Sequence, residues 1–213
     1  MVTDSIPKLI PGFGHLYHDL RRGATVTDII RDVRRGYIKI GGHNAVLLHV
    51  GTNSLRVKRN SCAPEPDFLI PAKDVIAQLT QLRDAIRAIN YHCIIIFSSI
   101  LPRPCDHDQT GPEIELINAA MKAWAQSEMR VAFIDSAAPF TYQDGALRGQ
   151  PQEALFTHRD WLHLNNDGLH LLAKSWEAHL SPSGLRAIAA GVQRPAASTV
   201  SPLHYSPSYR AVQ

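Results

Sequence analysis

The chain has 213 residues, of which 45% are hydrophobic and 19% charged, and its formal net charge is +3. This length allows one domain with a proper core, the composition excludes an intrinsically disordered chain, and the small charge does not by itself indicate a nucleic-acid partner. The sequence has no apolar run of membrane length and no signal-peptide pattern. It has three cysteines without paired spacing, Cys62, Cys93 and Cys105. Together these features predict a cytoplasmic protein with free thiols.

The first predicted element is a short strand in MVTDSIPK, where a brief apolar start precedes Ser5. Only Met1–Thr3 can form it, whereas strands usually have about five or six residues. We therefore expect either a truncated first strand or further sequence upstream. The next element is a helix in RRGATVTDI, because Thr25 followed by Asp28 three residues later is a helix-capping pattern.

Three apolar runs have the composition of buried strands, at 44–51, 92–100 and 130–137. Each is nearly continuous in apolar character and bounded by turn residues, as expected of strands covered on both faces. Apolar residues at helical spacing predict helices over 68–89 and 112–129, between consecutive strands. This alternation predicts an α/β fold with a parallel sheet, in which functional residues gather beyond the carboxyl ends of the strands.

The last predicted helix begins after Asn165 or Asn166, either of which can cap it. Asp167 falls in its first turn, and a stripe of apolar residues at helical spacing follows. Beyond this helix the sequence becomes rich in proline and serine. We therefore expect one folded domain over residues 1–181 and a disordered tail over residues 182–213.

The stretch RDWLHLNNDGLH contains two Asp-x-x-His pairs. Asp160 and His163 lie on the loop before the last helix, where a side chain can face the strand ends. His170 lies inside the helix on its polar flank, and Asp167 is explained as a first-turn acid. The sequence therefore predicts that the first pair is functional and the second structural.

Four short motifs at predicted strand ends together resemble the SGNH, or GDSL-type, hydrolase superfamily. They are TDS at 3–5, Gly23, GTN at 51–53 and DWLH at 160–163. The strings HVGTNSL and SSILPRP are similar to the esterase-type domains of animal retrotransposon proteins. The resemblance implies a three-layer α/β/α sandwich with a flavodoxin-like parallel sheet. It also implies a serine esterase acting on small or lipid-like esters, without a cofactor or a metal.

The resemblance assigns a chemical role to five residues. Ser5 would be the nucleophile, His163 the base that takes its proton, and Asp160 the acid that orients the imidazole. The backbone N–H groups of Ser5 and Gly23 and the side-chain amide of Asn53 would stabilise the oxyanion. The chain contains no G-x-S-x-G elbow, which disfavours the α/β-hydrolase version of the serine mechanism.

A metal site is an alternative interpretation of two polar groups. His158 lies close in sequence to Asp160 and His163, and a second group occupies residues 106–108. These are residue types that bind zinc, but neither group has the spacing of an H-E-x-x-H helix. Loop polarity explains both groups better. Arg103, at a predicted strand end, is expected either to line the substrate pocket or to belong to a plain loop.

The main rival to an enzyme is an inactive relative that keeps the fold for an interaction. The truncated first strand favours this rival, and Thr3 stands where the family's first motif usually has glycine, whereas the presence of all five motif residues favours the enzyme. A basic segment at 21–39, with six arginine and lysine residues, would suit a nucleoprotein partner. Asp28 and Asp32 lie among these cations at helical spacing, so an ordinary solvated helix face explains the segment better. The oligomeric state is not encoded in any recognisable motif.

Overall fold

The structure, a computed structural model, describes residues 2–3, 19–57 and 68–190. Its strands are β1 (Val2–Thr3), β2 (Asp19–Leu20), β3 (Ala45–His49), β4 (Arg56–Val57), β5 (Phe68–Leu69), β6 (Ile94–Ser98) and β7 (Val131–Ile134). Its helices are α1 (Val26–Arg34), α2 (Ala72–Ile89), α3 (His107–Ser127), α4 (Asn166–Leu180) and α5 (Pro182–Ala189). None of these described helices is long and apolar enough to cross a membrane.

Five of the strands form one parallel sheet in the order β2–β1–β3–β6–β7. Numbered within the sheet alone, this is the 2-1-3-4-5 order of flavodoxin-like folds. The remaining strands, β4 and β5, form a separate antiparallel pair. In a sheet of this order, the direction in which successive strands are added reverses between β1 and β3, which leaves a crevice for a ligand outside the carboxyl ends of these two strands.

Alternate side chains of the central strands enter two different cores. From β3, Val46 and Leu48 pack with apolar residues of α1, α2 and α3, whereas Leu47 packs with α4 and α5. The same alternation occurs in β6, where Ile95 enters the first core and Ile96 the second. Since successive strand side chains point to opposite faces, helices must cover both faces of the sheet. The predicted three-layer α/β/α sandwich with a parallel, flavodoxin-like sheet is confirmed.

One helix begins earlier than the sequence pattern predicts. Helix α3 starts at His107 and contains Pro112, which the pattern places at the start of the helix. The Thr110 hydroxyl donates to both the carbonyl and the carboxylate of Asp106, which closes the first turn. These first residues are polar, so apolar periodicity cannot reveal them.

The described part of the first strand consists of Val2 and Thr3. Val2 and Thr3 pair with β2 on one side and with β3 on the other. By contrast, the five-residue β3 pairs with β6 over most of its length. Thr3 lies opposite His49, the last residue of β3. The chain therefore leaves β1 at the crevice.

Ordered structure extends past the predicted domain boundary at 181. Ser181 caps α5 by accepting a hydrogen bond from a backbone N–H of the first turn, and Pro182 occupies the first helical position. Leu185 and Ile188 then pack against the second core. Serine and proline therefore start a helix here and do not end the fold. The rest of the predicted tail, 191–213, lies outside the described residues, so its disorder stays a prediction.

Candidate active site

A tight loop before α4 carries the predicted catalytic pair. Its base is closed by an antiparallel bridge and by a hydrogen bond from the Thr157 N–H to the His163 carbonyl at 2.8 Å. Asp160 shapes the loop, because its short side chain can accept hydrogen bonds from nearby backbone. Oδ1 of Asp160 accepts three of them, from the Thr157 hydroxyl at 2.9 Å and from the Leu162 and His163 N–H groups at 3.0 Å each.

The other carboxylate oxygen of Asp160, Oδ2, lies 2.6 Å from Nδ1 of His163. Partial burial raises the pKa of Asp160, but the hydrogen bonds from His163, Leu162 and Thr157 outweigh it and hold the pKa well below its ordinary value. Because an ionised carboxylate can only accept hydrogen bonds, Nδ1 is the donor in this contact, and Nε2 is the ring nitrogen left for a proton transfer. The His163 side chain is 51% exposed, so a substrate can reach it.

Trp161 fixes this loop through contacts of both its ring and its backbone carbonyl. Its φ is 50°, in the left-handed region that a bulky residue rarely adopts. Its ring packs against the second core and meets His158 edge-on with the centroids 4.7 Å apart. Its carbonyl accepts a hydrogen bond from the Cys105 N–H at 3.2 Å. A left-handed backbone conformation at a bulky residue persists only where the surroundings enforce it. The contacts of Trp161 enforce it here, two residues before His163 in the sequence.

Asn53 is positioned by a sharp turn after β3. Gly51 makes the turn with a φ of 122°, and a Cβ at this position would come 2.7 Å from Cδ1 of Ile100. A short 3-10 helix that contains Asn53 follows directly. The Asn53 side chain donates a hydrogen bond from Nδ2 to the Ala24 carbonyl at 3.3 Å. Asn53 therefore lies against the segment that carries Gly23.

Gly23 lies in the turn between β2 and α1. Its φ is 71°, and a Cβ there would meet nothing within 4 Å, so the requirement for glycine is conformational. The predicted capping box of α1 is confirmed, with Thr25 and Asp28 bonded to each other's backbone N–H. The Ser54 hydroxyl accepts a hydrogen bond from the Val26 N–H at 2.8 Å. The start of α1 is thus bonded to the loop after β3.

A pocket of about 220 Å³ opens between the loop after β3 and the loop that contains Asp160 and His163. It is lined by Thr52, Asn53, Arg56, Arg103, Cys105, Asp106 and Leu162. Asn53 is a predicted oxyanion-hole donor, and Leu162 belongs to the loop of the predicted catalytic pair. Four of the five predicted site residues, Gly23, Asn53, Asp160 and His163, therefore lie on segments that meet at one end of the sheet.

The fifth predicted site residue, Ser5, lies outside the described residues. It follows Thr3 by two residues in the sequence, and Thr3 pairs with the last residue of β3. Asn53 follows that same strand end. The role of Ser5 as nucleophile and as oxyanion-hole donor stays a prediction.

The residues considered as metal ligands make other contacts. His158 packs on Trp161, and Asp106 is bound by two arginines. In the ranges that the structure describes, no three or more His, Cys, Asp or Glu side chains form a group that could hold a metal ion. The second Asp-x-x-His pair has the predicted position, with Asp167 in the first turn of α4 and His170 exposed on that helix.

Two arginines line the pocket, and the sequence analysis identified only one of them as a candidate pocket residue. Arg103 is buried and is one of the residues that line this pocket, and that the pocket binds substrate stays a prediction. Arg56 is not predicted by any motif. Its only signal in the sequence is a cation three residues after Asn53, in HVGTNSLR. A lone cation at that distance does not distinguish a pocket residue from a solvated one.

A buried polar network lies between the sheet and α4. Nδ1 of His49 lies 2.9 Å from the Ser98 hydroxyl, which donates to the Ser136 hydroxyl at 2.9 Å. The Trp176 indole N–H donates to both serines, at 3.0 and 2.9 Å. Burial lowers the pKa of His49 from 6.5 to about 4, so the ring is neutral at pH 7. Because all four side chains are buried, this network supports the fold and is closed to substrate.

The chain is similar in fold to several solved structures. A carbohydrate esterase family 3 protein from Talaromyces cellulolyticus is 19% identical, with a TM-score of 0.57, and the match covers 87% of this chain and 81% of that one. A member of the lipolytic protein G-D-S-L family from Veillonella parvula is 16% identical, with a TM-score of 0.59 and coverages of 85% and 96%. The OSK domain of Drosophila Oskar is 13% identical, with a TM-score of 0.57 and coverages of 76% and 73%.

No protein-family model matches the sequence, and no curated protein matches it significantly. Similarity at 13–19% identity shows the fold alone. The resemblance to GDSL-type hydrolases that the sequence motifs indicated is therefore confirmed for the fold. The chemistry of the site has to be argued from its own residues.

Proposed function

We propose that this protein is a serine hydrolase of the SGNH type that cleaves small or lipid-like esters through an acyl-enzyme. The observation that carries the proposal is the contact between Asp160 and His163. A carboxylate that accepts three hydrogen bonds on one oxygen and lies 2.6 Å from Nδ1 with the other is oriented to hold a catalytic imidazole. Its place at the carboxyl end of a flavodoxin-like sheet adds support.

In the proposed reaction, Ser5 attacks the ester carbonyl while its proton passes to Nε2 of His163. Asp160 stabilises the imidazolium that forms. The tetrahedral intermediate then collapses, the alcohol leaves with the proton from His163, and the acyl group stays on the serine oxygen. A water molecule, deprotonated by the same imidazole, attacks the acyl-enzyme; the acid is released as the imidazolium returns its proton to the Ser5 oxygen.

The negative charge on the carbonyl oxygen needs donors that are already in place. Asn53 is suited to this role because its hydrogen bond to the Ala24 carbonyl fixes the plane of the amide. The backbone N–H groups of Gly23 and Ser5 complete the proposed oxyanion hole. We expect Asn53→Ala to lower kcat by about 10²–10³, the usual effect of losing one such donor.

The test of the nucleophile is covalent labelling with a fluorophosphonate probe, together with turnover of 4-nitrophenyl acetate. Wild type should be labelled on Ser5, and Ser5→Ala should lose both labelling and turnover while its circular dichroism is unchanged. Labelling that persists in Ser5→Ala would contradict the assignment. An unlabelled and inactive wild type that is fully folded would contradict the enzyme itself.

A second candidate function is binding of nucleic acid by a fold without activity. Residues 19–39 contain six basic and three acidic side chains, an excess of three positive charges that equals the net charge of the whole chain. The ring of Tyr37 is exposed, and so are five of these six cations: Arg22, Arg31, Arg34, Arg35 and Lys39. A segment that exposes several cations and an aromatic ring suits single-stranded nucleic acid.

A salt series distinguishes this candidate from the enzyme. Affinity for a single-stranded oligonucleotide should fall linearly on a log–log plot against salt, and replacing Arg34 and Arg35 by glutamine should reduce the slope. Measurable ester turnover with no salt-dependent binding would leave the hydrolase as the sole candidate.

A further inference from the structure

One short segment of the chain, residues 103–106, contacts both loops of the candidate site. Nη1 of Arg103 donates a hydrogen bond to the Thr52 carbonyl at 2.8 Å, in the loop after β3. Two residues further along, the Cys105 N–H donates to the Trp161 carbonyl at 3.2 Å, in the loop of the predicted catalytic pair. The segment therefore links the two loops.

Each of these bonds acts on a peptide unit next to a predicted site residue. The peptide unit is planar, so a bond to the Thr52 carbonyl also orients the backbone nitrogen of Asn53. In the same way, the Trp161 carbonyl shares a plane with the Leu162 N–H, which donates to Oδ1 of Asp160 at 3.0 Å. The segment thus holds the backbone that carries the proposed oxyanion donor and the backbone that binds the Asp160 carboxylate.

The Arg103 guanidinium group is itself fixed on the segment. Its Nε and Nη2 donate to the two carboxylate oxygens of Asp106, at 2.9 and 2.8 Å. The Thr110 hydroxyl donates to the same carboxylate at 2.9 Å, and the Arg103 side chain is only 8% exposed. Because guanidinium is planar, its two bonds to Asp106 also fix the direction in which Nη1 donates to Thr52.

Arg103 and Asn53 line the same pocket, and the amide of Asn53 is bonded to the Ala24 carbonyl. We propose that Arg103 is a positioning residue for ester hydrolysis, which holds Asn53 in place relative to the Asp160–His163 pair. In this role Arg103 acts through the Thr52 carbonyl and need not touch the substrate. The inference rests on the proposed hydrolase function and adds a positioning residue to it.

The test is a double-mutant cycle on the turnover of 4-nitrophenyl acetate, with Arg103→Lys and Asn53→Ala. Lysine keeps the positive charge but lacks the planar fork, so the Thr52 carbonyl loses its fixed donor. Arg103→Lys should lower kcat by about 10²-fold with KM nearly unchanged, because a displacement of about 1 Å in the site can cost that much. In the Asn53→Ala background the same change should cost about threefold or less, since the group that Arg103 positions is gone.

Equal losses of kcat in the two backgrounds would mean that Arg103 supports the fold as a whole, and would overturn the inference. Thermal melts of all variants show that each is folded at the assay temperature. Asp106→Asn is the second variant, used if Arg103→Lys does not fold, because it keeps the shape of the side chain and weakens its bonds to guanidinium. It should show the same dependence on Asn53, and its independence of Asn53 would overturn the inference.

Arg87→Lys is the matched control, because Arg87 also links two loops through their backbone carbonyls. Its guanidinium donates to the Tyr91 and Met129 carbonyls, at 2.9 Å each. These loops lead into β6 and β7, so they lie at the amino ends of the strands, away from the site. Arg87→Lys should leave kcat at the wild-type value. A loss as large as that of Arg103→Lys would overturn the specific role of Arg103.

Amide hydrogen exchange tests the positioning without any turnover. In Arg103→Lys, exchange should become faster at residues 52–55 than in wild type and stay unchanged in the loops that Arg87 links. Faster exchange at 52–55 in a protein that hydrolyses no ester would support the positioning by Arg103 and refute the hydrolase. Ester turnover with unchanged exchange at 52–55 would support the hydrolase and overturn the inference.

Discussion

The buried ring of His49 should make this protein less stable in mild acid. Its pKa falls from 6.5 to about 4 because burial penalises the charged imidazolium. The neutral ring lies 2.9 Å from the Ser98 hydroxyl and 5.4 Å, centroid to centroid, from the Trp176 ring. Protonation would place a charge among buried groups, so the folded state resists it.

The direction follows from comparing the folded and unfolded chains. In the unfolded state the pKa of His49 has its ordinary value, so its imidazole takes up a proton as the pH falls below about 6.5. The folded chain takes it up only near pH 4. The contribution of His49 to stability is therefore complete above pH 6.5 and decreases between pH 6.5 and 4. Each pH unit in this window removes about 1.4 kcal/mol, so the total is about 3 kcal/mol.

Urea unfolding followed by circular dichroism measures this loss. The free energy of unfolding of wild type should fall by about 2 kcal/mol between pH 6.5 and 5. His49→Gln keeps a polar group near Ser98 but does not titrate, so its stability should be nearly constant over this interval. His170→Gln, which replaces an exposed ring on α4, is the control and should follow wild type. Equal pH dependence in wild type and His49→Gln would refute the reasoning.

Three further predictions concern the site. His163→Ala should lower ester turnover by about 10³ or more, whereas His170→Ala should change it little; equal losses without unfolding would contradict the assignment of the two Asp-x-x-His pairs. Gly168→Ala should destabilise the fold by about 1–3 kcal/mol or more, although alanine usually favours a helix, because its Cβ would lie 2.3 Å from the Leu155 carbonyl oxygen. Gly42→Ala, where a Cβ meets nothing within 4 Å, is the control in the same thermal melts. A strong chelator should leave turnover unchanged, and recovery of lost turnover on adding zinc would support a metal mechanism.

Features that depend on neighbouring residues could be predicted from the sequence. The capping box of Thr25 and Asp28 needs three residues of separation and a helix start, and both are local. The placement of Asp160 and His163 on a loop, and of Asp167 and His170 on a helix, also follows from a helix boundary that Asn165 defines. Buried strands could be identified because a sheet covered on both faces requires continuous apolar runs.

Features that depend on distant residues were decided by the tertiary structure. Asp106 could be read from the sequence as a metal ligand or a loop residue, and only the tertiary structure brings it beside Arg56 and Arg103 in the wall of the pocket. His49 and Trp176 are far apart in the sequence, yet their rings are in contact in the fold. Charge and burial are properties of the assembled surroundings, so a residue's type and spacing cannot specify them until the sheet order and helix packing bring those surroundings together.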